Sequence, residues 1–253
     1  MTLSSFPTLP HLIRVCVTTL GVTVLAVAAQ GAEGTAAPGT GERGLRQWTE
    51  DFSDAAAFGE RWVPYGRLAN GQWAQAAKAR PEWWQLVDGA LRGQNFPEEK
   101  HPAGISRRIA GGELRLRFRV KIAEESVGTI RFFGKSIGVL PTEKTDNHVT
   151  ALEISASRLR IWNGNRLREA GEPARFHNTN FEKVENLAIA PDAWHDVVIE
   201  VRGRQVKALL DGKDGVTFTL EQDQPMESLS LEADGNKKEI GVVWFDDFAL
   251  EPL

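Results

Sequence analysis

Residues Trp194–Gly212 read W-H-D-V-V-I-E-V-R-G-R-Q-V-K-A-L-L-D-G, and this stretch decides the fold. Val197, Ile199 and Val201 alternate with polar or neutral neighbours, Gly203 interrupts, and Val206, Ala208 and Leu210 alternate again. A period of two in each half reads as the two strands of a hairpin. Asp211-Gly212 ends the unit, because glycine takes the positive φ of a tight turn without steric cost. Alternation buries one face and leaves the other wet, as in an antiparallel sheet, so the hairpin needs a second sheet over its apolar side.

The same grammar recurs along the chain. Trp83 to Gly93 (W-W-Q-L-V-D-G-A-L-R-G) is a second hairpin turning on Asp88-Gly89, with Trp84 in its core-forming part. From Glu113 to Ile122, the residues Leu114, Leu116, Phe118, Val120 and Ile122 point one way and Arg115, Arg117, Arg119 and Lys121 the other. Further strands are expected at Gln47–Phe52, Trp62–Tyr65, Gln72–Ala76, Val127–Phe133, His148–Ser155, Arg158–Asn163 (turning on Asn163-Gly164), Thr217–Leu220, Ser228–Glu232 and Val242–Leu250. Ser53-Asp54 caps a brief helical turn over Ala55–Phe58. No stretch carries the 3.6 period of a long amphipathic helix. About a dozen short strands divided by turn signals predict an all-β fold, a two-sheet antiparallel sandwich or jelly roll.

Composition agrees. The 253 residues are 42% hydrophobic and 25% charged with a formal net charge of −4, enough chain to bury a sizeable core and no basic excess to attract nucleic acid. Tryptophan (8) and phenylalanine (12) are plentiful while tyrosine is single, a usage suited to packed aromatics between short strands.

The first 30 residues read as a signal peptide. An apolar run from Val15 to Ala29 follows Arg14 and ends in Ala26-Val27-Ala28, a small-x-small cleavage pattern, with Ala29-Gln30-Gly31 as a second. As an uncleaved anchor the run falls a little short of the roughly 17 to 25 residues that span a bilayer. Cys16 is the one cysteine and lies in this segment without a lipobox, so the processed chain has no disulfide, thiolate zinc site or cysteine nucleophile. Export without disulfides suits a bacterial envelope, secreted or periplasmic, with no membrane segment in the processed form. Residues 31–44 are rich in Gly, Ala, Thr and Pro and form a flexible linker, and the folded domain runs over 45–253.

On these motifs the chain resembles the concanavalin A-like lectin/glucanase superfamily, and most closely its branch of secreted 3-keto-disaccharide hydrolase-like, LamG-like jelly-roll domains. The resemblance rests on Asp51-Phe52-Ser53-Asp54 with a following Trp, on W-x-x-V-D-G-x-L at Trp84–Leu91, and on W-H-x-V-x-I-E-V-x-G at Trp194–Gly203 with its later D-G. Val243–Phe248 fits the closing strand. The resemblance implies a jelly roll whose concave face binds or processes an oligosaccharide or polysaccharide. These motifs are structural, so they speak for fold more than for function.

Laminarinase-type members carry E-x-D-x-E or E-x-D-x-x-E on one strand, where alternation sets carboxylates about 5 Å apart for retaining hydrolysis. That motif is absent; Glu221-Gln222-Asp223 begins it, and Pro225-Met226 end it. Histidines are then the candidates for proton transfer near neutral pH. His101 falls in a loop between strands, and His148 opens a strand that also carries Glu153 on its non-core face. His195 reads as a hairpin residue and His177 as a loop residue. Arg131, Arg160 and an exposed Trp162 share the non-core parity of their strands, and Lys207 has a similar claim on the founding hairpin. Together His101, His148 and Glu153 are candidate catalytic residues, and Arg131, Arg160, Trp162 and Lys207 candidate sugar contacts. Each also reads as an ordinary residue of a solvated sheet face.

The cations Arg115 to Lys121 read either as a uronate- or sulfate-binding row or as a solvated face with glutamates across from it. Gly134-Lys135-Ser136 fails as a phosphate loop for lack of spacing and a following helix. No cofactor is called for. A structural calcium at Asp246-Asp247, beside Asp51–Asp54, is the one metal site the sequence offers, and adjacent strand residues point to opposite faces. Two function classes stay open: an enzyme that cleaves glycosides by hydrolysis or elimination, and a non-catalytic carbohydrate-binding or surface-interaction module.

Overall fold

A computed structural model of the chain describes residues 47–67, 73–75, 79–99, 101–134, 147–167, 175–220, 226–235 and 238–253. Side chains at 73–75, 147–148, 164–167, 175–185 and 214 are outside that description. So are the expected signal peptide and linker, Lys135-Ser136 and Glu221–Asp223.

The described elements are β1 (Trp48–Glu50), α1 (Ala55–Arg61), β2 (Val63–Arg67), β3 (Trp73–Gln75), a 3-10 turn at Pro81–Trp83, β4 (Trp84–Val87), β5 (Ala90–Asn95), β6 (His101–Arg108), β7 (Leu114–Ile122) and β8 (Val127–Phe133). Then follow β9 (Asn147–Ser155), β10 (Arg158–Leu167), β11 (Arg175–Asn186), β12 (Trp194–Arg202), β13 (Gln205–Leu210), β14 (Lys213–Thr219), β15 (Ser228–Asp234) and β16 (Gly241–Pro252). Sheet A runs β14-β13-β12-β7-β16-β5-β4 with β1 added on β16, and sheet B runs β11-β10-β9-β8-β15-β6-β2-β3. The fold is the expected all-β sandwich of two antiparallel sheets.

The founding hairpin is β12 and β13, in register Val197↔Leu210 to Arg202↔Gln205. Asp211 and Gly212 have φ of 50° and 71°, and Asp88 and Gly89 have 52° and 77°. Both D-G pairs therefore take positive φ at two successive residues, the backbone of a type I′ turn that matches strand twist. The apolar parity of β7, β12 and β13 packs against Ile130, Leu152, Ile154, Leu159, Ile161, Leu229 and Leu231 of sheet B, all buried. At one end of the sandwich Phe118 stacks on Phe248 at 5.0 Å, beside Trp62, Phe52 and Phe245. Asp54 caps α1 by accepting from the Ala56 and Ala57 amides at 3.0 Å.

Three local expectations are corrected. His101 opens strand β6 instead of sitting in a loop; Pro102 and Gly104 masked that strand, yet Pro102 lies beyond the β15 ladder, which runs from Ser228↔Arg108 to Ala233↔Ala103, so its missing N–H costs no bond there. Asn163-Gly164 is not a turn. Strand β10 pairs with β9 from Arg158↔Ser155 to Arg166↔Asn147, the chain reverses at Ala156-Ser157, and Asn163-Gly164 becomes a register shift against β11. His177 stands in β11, not in a loop.

Candidate functional site on the outer face of sheet B

Register alone assembles two rows across the outer face of sheet B. One is Tyr65, Gly104, Glu232, Thr129, Glu153 and Arg160, contributed in turn by β2, β6, β15, β8, β9 and β10. The neighbouring row is Val63, Ser106, Ser230, Arg131, Ala151 and Trp162. Strands about 4.8 Å apart make each row a track of about 24 Å. Period two does the sorting: Leu229, Leu231 and Ala233 of β15 enter the core, so Ser228, Ser230, Glu232 and Asp234 face outward.

The centre of this face is polar and buried. The Tyr65 hydroxyl donates to Glu232 Oε1 at 2.9 Å and lies 2.5 Å from Ser230 Oγ, which also donates to the Ile105 carbonyl at 3.2 Å. Tyr65 reaches β15 from β2 by lying over β6 at Gly104, where a Cβ would collide with the phenol ring. Burial, reinforced by the charge of Glu232, pushes the Tyr65 phenol well above its ordinary pKa. Arg131 Nη2 is 2.7 Å from Glu232 Oε2, an ion-pair contact whose angle is not that of a hydrogen bond. Glu232 Oε2, Arg131 Nε and Ser228 Oγ are consequently buried without a hydrogen-bond partner. A buried polar atom left without a hydrogen bond costs on the order of 1–3 kcal/mol.

Beside it, Glu153 accepts from Trp162 Nε1 at 2.7 Å and from Arg160 Nη1 at 3.0 Å, and the Arg131 guanidinium stands 5.4 Å from the Trp162 ring centroid. Four sequence candidates thus meet in one cluster. Trp162, expected to be exposed, is 7% exposed and packs with Phe133, Val149 and Ala151 in a small second apolar cluster. Parity placed it on the outer face; it could not say that this part of the face is covered.

His101 lies beyond the end of these rows, at the start of β6 and with the strand parity of Ala103 and Ile105. Its Nδ1 is 2.8 Å from the Pro102 carbonyl, which leaves Nε2 as the proton-accepting nitrogen of the neutral ring, and its ring centroid is 6.3 Å from that of Tyr65. It lines a pocket of about 210 Å³ with Asn95, Glu99, Asp234 and Glu239. That is smaller than the roughly 300 Å³ at which ordinary ligand pockets begin, a size for one sugar ring rather than a chain. Asp234 accepts from Asn95 Nδ2 at 3.1 Å and the Gly235 amide at 2.8 Å, yet burial and, to a lesser degree, the charge of Glu232 hold its carboxyl above the usual range. Burial likewise raises Glu99, despite the bond it accepts from Trp83 Nε1 at 2.6 Å.

The remaining candidates do not converge. Strands β6 and β9 are three ladder steps, about 14 Å, apart, and His101 is a further three residues along β6 from Gly104 in the row of Glu153, so the two share no pocket. His148 is the second residue of β9, opposite Asn165 and an odd number of residues from Glu153, and its side chain lies outside the described residues. Lys207 is on β13 in sheet A, opposite Glu200 and Thr217, and is no part of this face. Conversely, sequence reasoning missed Tyr65, Ser230, Glu232 and Asp234. The signal was there in S-L-S-L-E-A-D, where a carboxylate stands between apolar residues of a period-two run.

The cationic row on sheet A resolves as a face with acids across from it for three of its four members. Arg115 contacts Glu200 at 2.7 Å and Glu251 at 2.9 Å, Arg117 contacts Glu251 at 2.9 Å, and Arg119 contacts both Asp246 and Asp247 at 2.7 Å. The two aspartates were expected on opposite faces; a bulge after Asp246, with Asp247 at φ 50°, turns both onto Arg119, which supplies a positive charge to them. Among the described residues no group of three or more His, Cys, Asp and Glu is arranged to hold a metal ion.

Comparison with known proteins places this geometry. The family model described as 3-keto-alpha-glucoside-1,2-lyase-like domain matches residues 48–251. No curated protein matches the sequence. Among solved structures, a Bacillus licheniformis β-glucanase aligns over 82% of this chain and 98% of its own at 14% identity and TM-score 0.56. The laminarinase catalytic domain from Thermotoga maritima aligns over 83% and 98% at 12% identity and TM-score 0.57. The κ-carrageenase from Pseudoalteromonas carrageenovora, solved with an oligotetrasaccharide of κ-carrageenan, aligns over 85% and 99% at 10% identity and TM-score 0.53. At these identities the likeness is one of fold, the concanavalin A-like jelly roll.

Proposed function

The chain belongs to the 3-keto-alpha-glucoside-1,2-lyase-like domain family, and from this glycoside hydrolase-like, carbohydrate-active frame we propose that it cleaves 3-keto-glucosides by 1,2-elimination. The observation that carries the reading is the pocket that gathers His101, Asp234, Glu99 and Asn95 near the buried Tyr65–Glu232–Arg131 cluster. Its polar lining offers donors and acceptors to sugar hydroxyls. A carbonyl at C3 acidifies the C2 proton, so loss of that proton and of the C1 substituent forms a C1=C2 double bond with no net redox change. In this scheme His101 Nε2 takes the C2 proton. Asp234, whose pKa burial raises, is the group that gives a proton to the departing oxygen. Arg131 favours the negative charge that develops on the C3 oxygen, and the Tyr65 hydroxyl, which donates to Glu232, holds the carboxylate that Arg131 contacts. Glu153 holds Arg160 and Trp162 in place as the wall of the face. This chemistry does not need the two-carboxylate strand motif that the chain lacks.

The test uses a 3-keto-α-glucoside of p-nitrophenol and follows both phenol release and loss of deuterium from C2. Expected is release with C2 deuterium lost, reduced about 10²-fold or more in His101→Ala, Asp234→Asn and Tyr65→Phe. Release with C2 deuterium fully retained means hydrolysis. Binding with no release in any condition means the non-catalytic carbohydrate-binding module. His148→Ala belongs in the same series, since it was the second histidine candidate.

We also propose that residues 1–30 are a signal peptide removed on export, giving a secreted or periplasmic protein. N-terminal sequencing should find the processed chain beginning between Ala29 and Ala32. Retention of Met1 in the membrane fraction is the contrary result.

A further inference from the structure

Sheet A carries a second row of chemistry on the side of the molecule facing away from the site above. The pairings Trp194↔Lys121, Lys121↔Trp244, Trp244↔Arg92 and Arg92↔Gln85 place five residues in one line across β12, β7, β16, β5 and β4. At about 4.8 Å per strand the line is about 19 Å long, and it alternates aromatic, cation, aromatic, cation, amide. Lys121 Nζ stands 4.3 Å from the Trp244 ring centroid and 5.2 Å from that of Trp194; Arg92 stands 5.9 Å from Trp244 and donates to Gln85 at 3.3 Å. Trp194 is 36% exposed, one of four large apolar residues so exposed among the described ones.

The charges set this row apart from its neighbours. Arg115, Arg117 and Arg119 on the same strand β7 are paired with carboxylates, whereas Lys121 and Arg92 make no ion pair among the described residues. Cross-strand cation–π contacts order the row, but they leave the charge of both cations unneutralised. On a chain of net charge −4, such a row attracts anions locally and not by bulk charge.

We propose that this row binds an acidic polysaccharide, a chain of pyranoses bearing carboxylate groups. The strand spacing is close to the length of one pyranose in an extended chain, so successive units meet an indole and a cation in alternation. Sugar faces pack on Trp194 and Trp244, carboxylates meet Lys121 and Arg92, and Gln85 takes a hydroxyl. The proposal is independent of the reading of the sheet B face.

Affinity electrophoresis of the full chain in gels containing polygalacturonate, neutral dextran or poly-glutamate tests it. Retardation is expected with polygalacturonate alone, weakening as salt rises. Trp194→Ala and Lys121→Gln should each weaken it about tenfold, with melting temperatures near wild type. No retardation by polygalacturonate, equal retardation by poly-glutamate, or full retardation of both variants overturns the proposal. A Trp244→Phe variant, which keeps an aromatic packing partner for Lys121, guards against a variant that merely unfolds; it should retain most of the retardation.

Discussion

Arg107 illustrates what a single residue can hide. It pairs with Leu229 on β15 and so faces the core, where its guanidinium lies 3.7 Å from the centroid of Trp48, 5.3 Å from that of Trp62 and 3.6 Å from Glu50 Oε2. Burial outweighs the attraction of Glu50 and pushes the Arg107 pKa down to about 10, so it remains charged at neutral pH. Glu50, buried at 4% exposure, also accepts from Arg61 and from Trp62 Nε1, both at 3.3 Å. This cluster ties β1 of one sheet to β6 of the other. Breaking a buried pair on one side leaves a charge uncompensated, so Glu50→Gln should cost about 3–5 kcal/mol in urea unfolding. Adding Arg107→Met to it should recover part of that loss, and additive losses would show that the two side chains are not coupled. Ser106-Arg107-Arg108 in the sequence gives no hint of this, because its alternation puts a cation where an aliphatic residue is the rule.

The founding hairpin is held by a side-chain lock as well as by its ladder. His195 presents Nδ1 to Asp211 Oδ2 at 2.8 Å and Nε2 to the Ala190 carbonyl at 2.9 Å, while Asp211 Oδ1 accepts the Asp196 amide at 3.0 Å. Burial alone disfavours the imidazolium, but the Asp211 carboxylate and the Ala190 carbonyl outweigh it, so the pKa is raised above the ordinary value of 6.5. A histidine with a raised folded pKa contributes its full stabilisation below about pH 6.5, and that contribution is lost as pH rises through the raised value. The melting-temperature gap between wild type and His195→Asn should therefore be widest near pH 6 and narrow toward pH 9. A gap that widens with pH would contradict the lock. At this scale the sequence was largely legible, since β7, β12 and β13 follow period two without interruption. It failed where a strand contains Pro and Gly, as β6 does, and where a strong turn dipeptide, Asn163-Gly164, is overridden by continuous pairing with β9.

For the whole molecule, parity along each strand told which residues leave the core but not which sheet they join or what covers them. Arg131, Glu153, Arg160 and Trp162 were legible as one outward set because β8, β9 and β10 are sequence neighbours that pair in order. Tyr65 and Glu232 come together only because β6 is laid between β2 and β15, strands 165 and 167 residues apart at their contacting side chains, and no local pattern encodes that adjacency. Lys207 is separated from that set for the same reason, since its strand went to sheet A. The pairing of β1 with β16, Trp48↔Leu250 to Glu50↔Phe248, has a consequence of the same long range. It sets the entry and exit of the domain side by side on one strand edge, next to the bulge at Asp246-Asp247 that ends the pairing of β16 with β5. The chain is thus close to a closed ring. A circular permutant that joins Leu253 to Gln47 through a short glycine-rich link and opens at the exposed Asp88-Gly89 turn should fold with an unchanged far-ultraviolet dichroism spectrum. The same adjacency equips the domain to be carried as an insertion in a surface loop of another protein, looped out without spreading the host's strands.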